Sequence, residues 1–107
     1  MLRILAVDDH ILIRRGLVQI LEAEYGEKVK VGEAGDAREA VALLAKGKWD
    51  VALVDINLPG RSGLLLLEDI KAMQPHLPVL ILSACSEEEF AVRARRRADD
   101  LVKALRA

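Results

Sequence analysis

LRILAVDDHILIRRGLVQIL (residues 2–21) changes its period part-way along. Ile4, Leu5, Ala6 and Val7 form an unbroken apolar run, the pattern of a short strand buried on both faces. Further on, Ile13, Leu17, Ile20 and Leu21 recur at i, i+4, i+7 and i+8, which is one face of a helix. Between the two stand Asp8, Asp9 and His10. Adjacent acids repel each other, and desolvating either is costly unless it is paired or bound to a metal. A strand that runs into two carboxylates and then a helix is one β-α unit with chemistry at its joint.

The unit repeats. Gly26 lies just past the first helix, where a C-terminal stop is expected. Val29, Val31 and the following Gly-Glu-Ala make a weaker second strand. Asp36 with Glu39 has capping-box spacing, and Ala37, Ala40, Val41 and Leu44 form the next apolar stripe. DVALVD (50–55) is a third strand, again ended by a carboxylate. NLPGRSG (57–63) is turn chemistry, and Leu66, Ile70 and Met73 mark a third helix. PVLILS (78–83) is a fourth strand, and Ser86 with Glu89 is a second capping box, opening a helix to about Arg97.

Apolar strands each followed by a helix indicate a parallel sheet covered on both faces, and right-handed crossovers make it doubly wound. At 107 residues the chain holds one domain, 1–107, and is too short for an eight-stranded barrel. The expected fold is flavodoxin-like α/β.

Composition narrows the function classes. A net charge of −1 offers no global basicity for direct nucleic-acid binding, and the arginines at 93 and 95–97 read as one solvated helix face or a protein contact. The single Cys85 cannot form an internal disulfide and reads as an apolar filler in a reducing compartment. No apolar run is long enough to cross a bilayer and no signal peptide precedes the first strand, so a cytoplasmic domain is expected. His10 and His76 read as solvent-facing.

In doubly wound sheets ligands bind beyond the carboxyl ends of the strands, where the strand order reverses. With the order 2-1-3-4-5 that point lies between strands 1 and 3, which end in Asp8-Asp9 and Asp55, beside strand 4 ending in Ser83. Each acid alone would read as a helix cap. Together, three converging carboxylates call for a cation, and hard oxygen donors favour Mg²⁺. Mg²⁺ beside a carboxylate suits phosphoryl transfer, with the carboxylate itself as nucleophile. Asp55 stands alone at its strand end and is the nucleophile candidate; Asp8 and Asp9 form the metal side, and the Ser83 hydroxyl could bond a phosphoryl oxygen. A phosphohydrolase would need a general acid two residues past the nucleophile, and position 57 is Asn.

ILAVDDHILIRRGL, DVALVDINLPGRSGLLLL and PVLILSA resemble the receiver domain of bacterial two-component response regulators. The VDDH…RRGL opening is similar to the subgroup that carries a C-terminal LuxR-type helix-turn-helix, NarL and FixJ among them. The resemblance covers residues 2 to about 98. It implies that Asp55 accepts phosphate from a sensor histidine kinase. It also implies that Mg²⁺ is held by Asp9 with Asp8 in support, by Asp55 and by the main-chain carbonyl of Asn57. Ser83 would be the switch hydroxyl, and Pro59, Gly60 and Gly63 would shape the loop after the phosphorylated strand. Control of transcription would pass through an output domain not among these residues, and DNA would be met only through it. The alternative within the same resemblance is a degenerate receiver acting as a phosphorylation-independent interaction or dimerisation module.

From about residue 95 the pattern departs from that family. Receivers follow the fourth helix with a Gly-Ala turn, a fifth strand bearing an aromatic, and a lysine at its end; here RARRRADDLVKALRA (93–107) stands instead. In one reading DDLVKALRA is the fifth helix and strand 5 is missing, leaving the order 2-1-3-4 and an unpaired edge that invites a homodimer. In the other, LVK is a truncated strand 5 and Lys103 contacts the phosphate. The run of strong helix formers without Gly or an aromatic favours the first.

Overall fold

The computed structural model describes residues 1–55, 58 and 62–82 of the chain. Strand β1 (Leu2–Val7) leads into helix α1 (Ile11–Tyr25), then a 3-10 turn (Gly26–Lys28) and β2 (Val29–Ala34). Helix α2 (Ala37–Lys46), β3 (Val51–Asp55), α3 (Gly63–Met73) and β4 (Val79–Leu82) follow. The strands form one parallel sheet in the order β2-β1-β3-β4. This is the expected doubly wound arrangement, with β1 central and the order reversing between β1 and β3. Ser83, Ser86, the arginines at 93 and 95–97, and the whole question of strand 5, Lys103 and an open β4 edge lie outside the described residues.

The two-residue alternation of the strands divides the core. Leu5 and Val7 of β1 and Ala52 and Val54 of β3 face Ala37, Ala40 and Leu44 of α2 and Leu66 and Ile70 of α3. Ile4 and Ala6, with Val51 and Leu53, face Leu17 and Leu21 of α1 on the opposite side. Both faces of β1 and β3 are therefore dry, which is why these strands read as continuous apolar runs. Each fully buried Leu or Ile contributes about 1.5–3 kcal/mol of transfer free energy, and this repeated term sets the strand register.

Local chemistry closes the elements where the sequence expects. Gly26 adopts φ +56° and its N–H bonds the carbonyl of Glu22, ending α1. Asp36 Oδ1 accepts the Glu39 N–H at 2.8 Å, capping α2. Ser62, read in the sequence only as part of a turn, caps α3 by accepting the Leu65 N–H at 3.3 Å. Gln74 Nε2 donates to the carbonyls of Leu44 and Gly47, satisfying the open C-terminal end of α2. Met73, expected on the apolar stripe of α3, is exposed at the helix end.

Candidate metal and phosphoryl site

Register builds the site. Val7 pairs with Val54 between β1 and β3, so the next residue of each strand, Asp8 and Asp55, emerges at the same end of the sheet. Adjacent strands lie about 4.8 Å apart, which brings the two carboxyl groups into one space. Asp8 is 4% exposed and Asp55 1%, while Asp9 faces solvent. The Asp8 N–H donates to the carbonyl of Ala34 on β2 at 3.0 Å, holding the strand end in line with its neighbour.

Three charged side chains brace the β1 exit. Arg14, one turn into α1, donates from its guanidinium to the Asp8 carbonyl at 2.7 Å and to Glu33 Oε1 of β2 at 3.1 Å. Arg15 pairs with the other oxygen of Glu33. A guanidinium bridging a main-chain carbonyl and a neighbouring strand fixes the entry to α1, and its charge lies beside the acids.

His10 is not solvent-facing, contrary to the sequence expectation. It is the N-cap residue of α1, yet its side chain makes no capping bond. Its own N–H donates to Asp8 Oδ1 at 2.9 Å, and this tight local turn folds the ring back over the acids. The Nδ1 atom lies 3.1 Å from Asp8 Oδ1, 3.2 Å from Asp9 Oδ1 and 3.8 Å from Asp55 Oδ2. One ligand atom from each of Asp8, Asp9, His10 and Asp55 falls within 4.8 Å of all the others. The available signal was adjacency: a residue directly after two strand-terminal acids, at a helix start, has little room to turn away. His76 is exposed, as expected.

The structure therefore brings together Asp8, Asp9 and Asp55 and adds His10 to them. Asn57 and Ser83, assigned from the sequence, lie outside the described residues. The donor set fits a divalent cation: three carboxylates from two strand ends, two of them buried, supply the hard oxygen ligands that Mg²⁺ prefers. Among the described residues no helix is long and apolar enough to cross a membrane.

Comparison with known proteins agrees with this geometry. Residues 4–103 match the family model described as response regulator receiver domain. The chain is 40% identical over 94 residues to the DNA-binding transcriptional activator DevR/DosR of Mycobacterium tuberculosis, covering 88% of this chain and 43% of that protein. It is 38% identical over 92 residues to the nitrate/nitrite response regulator protein NarP of Escherichia coli, covering 84% and 42%. The chain thus spans less than half the length of either relative. Among solved structures, a response regulator from Burkholderia pseudomallei with a phosphorylated aspartic acid, calcium ion and citrate superposes with a TM-score of 0.77 at 25% identity. That superposition covers 98% of this chain and 66% of the other.

Proposed function

This chain belongs to the response regulator receiver family, and from that premise we propose that it is a working phosphoacceptor with Asp55 as the acceptor. The observation that carries the reading is the joint placement of Asp8, Asp9 and Asp55, with a ligand atom of each within 4.8 Å of the others at the switch point of the sheet. Asp55 ends the strand between β1 and β4, so its carboxylate has the acids of β1 on one side and the end of β4 on the other. Asp8 and Asp9, with Asp55 and the main-chain carbonyl of Asn57, would hold the cation. Bound there, Mg²⁺ supplies charge neutralisation at the phosphoryl oxygens.

In the proposed reaction a carboxylate oxygen of Asp55 attacks the phosphorus of a phosphohistidine on a sensor kinase. The new P–O bond forms in line with the breaking P–N bond, and the electron pair leaves on the imidazole nitrogen, which takes up a proton. The product is an acyl phosphate on Asp55. Burial of Asp55 limits access of water to that mixed anhydride. The Ser83 hydroxyl would donate a hydrogen bond to a phosphoryl oxygen. The chain catalyses its own modification, taking the phosphoryl group from a phosphodonor. Its partners are a cognate sensor histidine kinase and, by analogy with the regulators it resembles, an output module that controls transcription.

Incubation with a small acyl phosphate donor and Mg²⁺ tests this reading. Base- and hydroxylamine-labile incorporation that disappears in Asp55→Asn and with chelator supports it. Incorporation that survives Asp55→Asn overturns it.

A further inference from the structure

His10 occupies a place that carboxylate chemistry alone does not require. The N-cap conformation (φ −84°, ψ 97°), the N–H bond to Asp8 Oδ1 and the hydrogen-bond contact of the ring Nδ1 with the same oxygen at 3.1 Å together hold the imidazole over the acids. An octahedral ion with bonds of about 2.1 Å holds adjacent donors about 3.0 Å apart and opposite donors about 4.2 Å apart. The Nδ1 distances of 3.1 Å and 3.2 Å to Asp8 and Asp9 match adjacent positions, and the 3.8 Å to Asp55 falls between the two spacings. The side chain is 24% exposed, so most of it is covered by the site.

We propose that His10 is a nitrogen ligand of the divalent-cation site, an inference that rests on the cation site proposed above. The chain then offers one imidazole nitrogen beside three carboxylate oxygens. Oxygen-only sites suit Mg²⁺; an imidazole adds affinity for first-row transition ions, which bind nitrogen more strongly along the series from Mn²⁺ to Cu²⁺. The site therefore accepts Co²⁺ or Mn²⁺ with His10 in the coordination sphere, and Mg²⁺ with water in that position. The ionic content of the medium, and not Mg²⁺ alone, sets the occupancy of this receiver.

Isothermal titration of the untagged 107-residue chain with MgCl₂ and with CoCl₂, in wild type, His10→Ala, His10→Asn and Asp9→Ala, tests the assignment. His10→Ala is expected to weaken Co²⁺ binding by about tenfold or more while changing Mg²⁺ affinity less than about twofold. His10→Asn, which offers oxygen in place of nitrogen, is expected to behave like His10→Ala toward Co²⁺, and Asp9→Ala to weaken both ions. Spin-echo spectroscopy of bound Mn²⁺ supplies the direct signature: ¹⁴N modulation from an imidazole in wild type, absent in His10→Ala. Equal loss of both ions in His10→Ala, tighter Mg²⁺ binding because the ring had been competing with the ion, or no ¹⁴N modulation in wild type overturns the proposal while leaving the Mg²⁺ site standing. Failure of the wild type to bind either ion overturns the site and this role together.

Discussion

Val7 stands opposite Val54 across the β1–β3 pair, and that single register match delivers Asp8 and Asp55 to one point. Sliding either strand by one residue would turn the carboxylates to opposite faces and put apolar side chains at the site. The same residues that fill the core thus aim the chemistry.

Two buried carboxylates this close cost the fold free energy when no cation is present. Asp55→Asn removes one charge at nearly constant volume. It is expected to raise Tm in chelator by about 4–8 °C, equivalent to about 1 kcal/mol for a domain of this size. Thermal unfolding followed by circular dichroism reads the sign, and a lower Tm would mean that the neighbouring donors already compensate both charges.

A ligand that binds only the folded state stabilises it by mass action. At ten times its Kd, Mg²⁺ should add about 1.4 kcal/mol to wild-type stability, and this increment should vanish in Asp9→Ala. Urea unfolding with and without MgCl₂ measures it; equal increments in both proteins would remove Asp9 from the metal site.

Much of this was legible from the residues alone, because the deciding signals are local. The apolar runs at 4–7 and 51–54 and the helical stripe from Ile13 to Leu21 specify alternating units. The switch-point rule then joins Asp8, Asp9 and Asp55 without any contact being known. What escaped depends on contacts distant in sequence or on a turn of the backbone. His10 reads as a lone surface histidine until the Asp8 turn places its ring. The bond from Arg14 to the Asp8 carbonyl needs the angle between α1 and β1, which no periodicity encodes. Ser62 escaped for a smaller reason: its cap was submerged in a run of turn residues.

The packing of Trp49 on Gly32 is another such contact, and it has a measurable consequence. A Cβ added at Gly32 would stand 2.3 Å from Cη2 of the indole. The ring is pinned there by its Nε1–H bond to the Leu43 carbonyl and by the Arg3 guanidinium 4.9 Å above it. Gly32→Ala is expected to destabilise the domain by about 1–3 kcal/mol through overpacking. The urea midpoint, followed by Trp49 emission, reports it. β3 alone spans about 13 Å between this end of the sheet and Asp55, so the emission follows folding and not the metal site.

Asp36 separates helix stability from site chemistry. Asp36→Ala removes the cap on α2 and is expected to cost about 1 kcal/mol in urea unfolding. Phosphate incorporation at saturating Mg²⁺ should stay at the wild-type level below the unfolding transition.

The identity of the phosphorylated atom is the most direct test. Borohydride reduction of an acyl phosphate converts the modified aspartate to homoserine, and peptide sequencing locates it. After exposure to a small acyl phosphate donor and Mg²⁺, homoserine is expected at position 55 and nowhere else. Homoserine at position 8 or 9, or stable phosphate on His10 in place of any homoserine, would contradict the assignment of Asp55 as the acceptor.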